Sequence, residues 1–213
     1  MITSLNQLDL NKKYTYADYL TWQLQERVEL IFGKVFKMSP APKTNHQLLV
    51  TELLFAIRLN LSAKQCKVFT APFDVRLPLS VEKQEDKTEN VVQPDLCVVC
   101  DLSKLDERGC NGAPDLVVEI VSKSSVKKDL HEKYDLYQQA GVKEYWVVYP
   151  NDLSVSVYTL DEEGKYQLYK PYTIGDKIVS KVFPGLEIDV EQTYGDIVNE
   201  PDPPAYGKDV KRI

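Results

Sequence analysis

An apolar run with one acid set in its middle, Ala113-Pro-Asp-Leu-Val-Val-Glu-Ile-Val-Ser122, constrains this chain more than any other stretch. Leu116, Val117, Val118, Ile120 and Val121 favour extended backbone, and Pro114 and Ser122 bracket a segment of strand length. Apolar residues at both odd and even positions imply a strand buried on both faces. An unpaired carboxylate is costly there, so Glu119 needs a cation, a metal ion or a proton of its own.

The nearest acid on the same face is Asp115, but four residues of strand separate the two by about 13 Å. That is too far for both to bind one ion. Asp95, in the pair Pro94-Asp95, is placed differently. If its strand runs antiparallel beside the 113–122 strand, Asp95 lands opposite the Glu119–Val121 region, where two carboxylates can share a divalent cation. Each acid also has a plain structural reading, as a salt bridge or a turn cap.

The segments on either side set the frame. Thr15-Tyr-Ala-Asp18 has the form of a capping box and predicts a short helix to about Glu26. Arg27 to Ser39 reads strand, Gly turn, strand. From Thr44 to Ser62, Leu49, Leu53, Ile57 and Leu61 recur every four residues, as in a packed helix with His46 in its first turn. Strands are expected at 66–71, 73–79 and 91–100, with the charged stretch 80–90 as an exposed loop. A helix from Ser124 or Ser125 runs to Ala140 and stops at Gly141. A strand at 143–149, a hairpin over 153–169, and short strands or turns to about Val190 complete the order. Helices and strands mix without regular strand–helix repeats, so the expected class is α+β: a mixed β-sheet flanked by helices, with an N-terminal and a C-terminal hairpin.

The 213 residues, 43% hydrophobic and 27% charged, fit one domain over 1–200 with a flexible tail at 201–213. A net charge of −6 makes no global case for nucleic acid, although a catalytic groove needs only a local basic patch. No leader is evident and no apolar run approaches the roughly 20 residues that span a bilayer, so a cytoplasmic protein without membrane contact is expected. Of the four cysteines, Cys97 and Cys100 lie three apart on an expected strand and point to opposite faces. Buried free thiols are the expected state.

The helix after the central strand carries Asp129, Lys133 and Tyr137 at four-residue steps. Lys133 could reach back to the strand ends and hold a scissile phosphate, or it could simply pair with Asp129. Lys123, Lys127, Lys128 and His131 make this surface locally basic. Glu29 and His46 are accessory candidates, the first at the site edge, the second as a ligand or a helix cap. There is no phosphate-binding glycine loop, no serine-nucleophile elbow and no zinc-protease helix, and carboxylates without a histidine set suit Mg²⁺ or Mn²⁺.

In order, Val28-Glu-Leu-Ile31 before a Gly turn, Met38-Ser-Pro40, His46, Gln93-Pro-Asp-Leu96, the 113–122 run, Lys133, Tyr137 and Gly141-Val-Lys-Glu-Tyr-Trp-Val147 form a set. Together they resemble the Uma-type family of restriction endonucleases in the PD-(D/E)XK nuclease superfamily, over roughly residues 15 to 190. The resemblance implies a restriction-endonuclease-like core, Mg²⁺-dependent phosphodiester cleavage, a DNA substrate and a homodimer. It maps the PD aspartate to Asp95 and the (D/E)XK acid to Glu119. The motif lysine falls at Val121, which cannot serve as one, so the basic role passes to Lys133, with Tyr137 beside it. Phe32 and Lys34 stand where the family often has acids. The rival from another class is a catalytically degenerate nuclease fold that binds nucleic acid or protein; a third is a structural protein whose Glu119 pairs only with Lys133.

Overall fold

Glu119 lies in β9 (Leu116–Ile120), all five residues of which are buried. The computed structural model describes residues 2–38, 43–61, 65–79, 87–122 and 125–198. Pro40, Pro42, most of the charged 80–90 loop, Lys123, Ser124 and the 201–213 tail lie outside the described residues.

β9 sits between β6 (Leu96–Val99), which runs antiparallel to it, and β10 (Glu144–Tyr149), which runs parallel. β3 (Lys67–Thr70) closes one edge, and the hairpin of β11 (Ser154–Leu160) and β12 (Tyr166–Thr173) forms the other. This six-stranded mixed sheet carries α2 (Thr44–Asn60) on one face. Leu49, Leu53 and Ile57 pack there against Leu96, Val98, Leu116, Val118 and Ile120. The odd-numbered residues Val117, Glu119 and Val121 point to the other face, with Cys97, Val99, Tyr137 and Tyr145 in the same core layer. Both parities are covered, as the run of apolar residues implies.

A second six-stranded sheet is built from β1 (Val28–Ile31), β2 (Lys34–Lys37), β4 (Val75–Arg76), β5 (Val91–Val92), β7 (Leu105–Asp106) and β8 (Gly109–Asn111). The expected single strand over 91–100 is therefore two. β5 belongs to this sheet and β6 to the first, and Gln93-Pro94-Asp95 is the crossover between them. Pro94 has no N–H to give to a ladder, which suits a break at that point. The architecture is α+β with mixed sheets and flanking helices.

Three other expectations change. The first helix, α1, spans only Tyr16–Tyr19; its capping box is present, but the chain then turns so that Trp22 can bridge Ile2 and pack on Tyr14. Cys66 and Cys100 are joined by a disulfide, because β3 pairs with β6 and brings together residues 34 apart. Cys97 and Cys110 remain buried free thiols. A further helix, α4 (Val190–Val198), packs on α2, where the sequence reading stopped at Val190. Among the described residues no helix is long and apolar enough to cross a membrane.

Candidate active site

The helical segment after β9 begins with a wide turn. Residues Lys128–Lys133 form a π-helix, which passes into the α-helix α3 (Tyr134–Ala140), capped by Gly141 in the left-handed region at φ 82°. Bonds from i to i+5 widen the turn, so residues five apart come into line where an α-helix would separate them. Lys128 and Lys133 consequently reach the same carboxylate. Lys133 Nζ lies 2.9 Å from Glu29 Oε1, and Lys128 Nζ pairs with Oε2.

Lys133 Nζ also donates to Glu119 Oε1 at 2.7 Å, and the Tyr137 hydroxyl donates to that same oxygen at 2.7 Å. Asp129 is 3.9 Å from Lys133, the weakest of its three pairings, so the simple (i, i+4) pair is not the main partner. Glu29, Glu119, Asp129, Lys133 and Tyr137 are all buried. The β6–β9 register pairs Leu96 with Val118; one residue further, Asp95 stands opposite Glu119. Asp95 Oδ2 accepts the Ile120 N–H at 2.8 Å and lies 3.2 Å from His46 Nε2, and its side chain keeps 20% of its exposure. His46 therefore reaches across 49 residues to the Asp95 carboxylate rather than capping its own helix.

Three carboxylates, Glu29, Glu119 and Asp129, share two ammonium groups here, and they do not share equally. Burial pushes Glu29 up, but the charges and hydrogen bonds of Lys133 and Lys128 outweigh it and hold Glu29 below its ordinary 4.5. Burial pushes Glu119 up to about 8: Lys133 opposes the shift, while Asp129, Asp95 and Glu29 add to it. Burial works to lower Lys133, yet Glu119, Glu29 and Asp129 keep it well above its usual range. Burial, reinforced by Glu119, also raises Tyr137 well above normal.

Asp115, the nearer acid in sequence, has a structural role. It accepts the Cys100 N–H at 2.8 Å and pairs with Lys143. Asp115→Ala is expected to cost about 2 kcal/mol by orphaning that N–H, with no change in any chemistry at Glu119. Urea denaturation reads the first half of this prediction. Of the expected basic surface, Lys127 and His131 are exposed, whereas Lys128 is committed to Glu29. Lys128, expected only as part of that basic surface, belongs to the site, and an i, i+5 spacing signals nothing in a regular helix.

A residue in β1, the Gln93–Asp95 crossover, β9 and the π-turn thus converge where the two sheets meet. No cluster of three or more metal-binding side chains occurs among the described residues. In comparisons with known proteins, residues 16–191 match the model of the Uma2 family, described as "Putative restriction endonuclease". An uncharacterized protein of Synechocystis sp., slr1290, is 23% identical over 185 residues, covering 85% of this chain and 92% of that protein. A crystal structure from Anabaena variabilis, described as "a putative nuclease belonging to DUF820", superposes with a TM-score of 0.63 at 18% identity, over 85% of this chain and 98% of the other. It shares the fold. With its family model matched across the whole sheet assembly, the chain belongs to the Uma2 family.

Proposed function

We propose that the protein is a metal-dependent endonuclease that hydrolyses phosphodiester bonds in DNA. The observation that carries this reading is the charge imbalance at the sheet junction. Among the described residues, Glu29, Glu119 and Asp129 pair with only two ammonium groups, Lys128 and Lys133, and Asp95 adds a fourth carboxylate beside them; burial raises Glu119, and the neighbouring acids raise it further. A divalent cation would balance the excess of acids. The donors are hard oxygens with no soft ligand among them, which suits Mg²⁺ or Mn²⁺. Asp95 and Glu119 would hold the ion, Asp95 being the acid that retains solvent access. When bound, such an ion supplies a more acidic water and stabilises charge on the phosphate.

The roles of the other side chains follow from their surroundings. Lys133 stays an ammonium, so it does not take a proton from the attacking water; it offers positive charge to the phosphate and fixes Glu119 through Oε1. Tyr137 orients the same oxygen. Glu29 holds both lysines in place, and His46 orients Asp95. A homodimer belongs to this proposal on family grounds, and sedimentation decides it.

The test is nicking of plasmid DNA. Cleavage is expected with Mg²⁺ or Mn²⁺, none with EDTA, and none from Asp95→Ala; equal cleavage by that variant overturns the proposal. One observation favours the degenerate, binding-only reading: Glu119 Oε1 already receives two donors, and Val121 stands in the place of the motif lysine. Calorimetric titration separates the two, since a binding module shows no Mn²⁺ uptake that depends on Asp95 and Glu119.

A further inference from the structure

A cavity of about 320 Å³ opens beside the site, lined in part by Phe73, Asp74, Gln93, Asp106 and Arg108. It is joined to the site by short covalent and hydrogen-bonded links. Gln93 donates its backbone N–H to Glu29 Oε1, while its side chain lines the cavity. Asp95 follows two residues later, about 7 Å of extended chain. The Ala71 N–H, just before the Pro72–Asp74 wall, bonds to the Asp95 carbonyl. That wall is fixed: Cys110 donates to the Asp74 carbonyl at 2.9 Å, and a Cβ on Gly109 would stand 2.1 Å from the same oxygen.

The lining has an aromatic part and an acceptor part. Phe73 lies flat on Phe69, centroids 4.1 Å apart and planes within 3°, which leaves its other face or its edge to the cavity. Gln93 Nε2 donates to Asp74 Oδ1 at 2.7 Å, and this fixes which end of the amide is which. Tyr19 sits against the same Asp74 carboxylate. Gln93 Oε1 is then left buried with no donor among the described residues, in a residue that is only 9% exposed. A buried acceptor without a donor is costly, and a ligand N–H would relieve it. Asp106 is engaged by Arg76.

We propose that this cavity is a nucleobase subsite, which takes one unstacked base bearing an exocyclic amine from the strand held at Asp95 and Glu119. The inference rests on the DNA reading above. Phe73 would stack on the base and Gln93 Oε1 would accept from its amine. Cytosine, adenine and guanine carry such a group. Thymine offers an N–H flanked by two carbonyl oxygens, which would face the Asp74 and Asp106 carboxylates. A base in this cavity has left the duplex stack, so single-stranded or locally unpaired DNA is the substrate that fills it.

Fluorescence anisotropy with labelled oligo-dC, oligo-dA and oligo-dT, in Ca²⁺ buffer, tests this. Oligo-dC and oligo-dA are expected to bind about tenfold more tightly than oligo-dT, the size of one satisfied buried acceptor. Gln93→Leu should bring all three to the oligo-dT value. Phe73→Ala, a separate probe should Gln93→Leu fold poorly, should weaken all three about tenfold through lost stacking. Equal affinities in the wild-type protein, no binding of single strands, or a preference untouched in a folded Gln93→Leu each overturn the subsite. Plasmid nicking measured in parallel keeps the two readings apart. A protein that nicks but treats the three strands alike loses the subsite alone, and one that discriminates but never nicks loses the nuclease reading alone.

Discussion

Glu119→Gln is expected to abolish metal-dependent cleavage, by about 10³-fold or more, and at the same time to stabilise the protein above neutral pH. On the proposed function, the first effect follows from removing the oxygen that would hold the metal ion, which would forfeit several kcal/mol at the transition state. The second follows from burial. Glu119 ionises at its ordinary 4.5 in the unfolded chain and at about 8 in the fold, so between those values the folded state binds the extra proton. The stability contributed by this group is fully present below pH 4.5 and is lost as pH rises through about 8, at up to about 1.4 kcal/mol per pH unit. Glu29 works in the opposite sense: its lowered value adds stability above the usual carboxylate range and loses it on acidification. The wild-type profile mixes the two, but the difference between Glu119→Gln and wild type isolates Glu119. That difference should be small at pH 5 and grow steadily toward pH 8. Urea melts across this range without added metal measure it, and a difference that does not change with pH refutes the raised value.

How far such a centre can be read from residues alone depends on how local its causes are. Burial of β9 on both faces follows from its own alternation, and α2 from leucines and an isoleucine four apart; both are covered as expected. The antiparallel juxtaposition of Asp95 with Glu119 needed only the assumption that neighbouring strands pair. Glu29 is another matter. It alternates with apolar residues as a half-buried strand would, yet all four residues of β1 are buried, because β5 and the helix bearing Lys128 close over it from segments about 60 and 100 residues away. The π-turn is equally hidden, since nothing in Lys-Asp-Leu-His-Glu-Lys marks a bond pattern of i to i+5. The Cys66–Cys100 link depends on which strands pair, not on cysteine spacing. α4 is different again: Val190, Thr193, Tyr194 and Ile197 already carry the helical spacing that would have found it.

Lys133→Met is expected to destabilise the fold by about 3–5 kcal/mol at pH 8, because it strands buried carboxylates without their cation. Glu29 keeps Lys128, so the larger share of the loss falls on Glu119, whose one other donor among the described residues is the Tyr137 hydroxyl. Acidification should therefore shrink the penalty, as Glu119 takes up a proton and ceases to need a cation. Lys128→Met, by contrast, removes a lysine that retains 17% exposure and leaves Lys133 on Glu29, and should cost nearer 1 kcal/mol. The double variant Lys133→Met with Glu119→Gln removes both charges at once and should recover most of the stability, giving a coupling energy of several kcal/mol in a double-mutant cycle. Chemical denaturation at pH 5 and pH 8 supplies all the numbers, and a cycle that closes to within 0.5 kcal/mol contradicts the pairing. A double variant as stable as wild type, but unable to nick DNA, would mean that packing can do without the charges. The cluster at the sheet junction would then owe its place in the fold to the chemistry proposed for it.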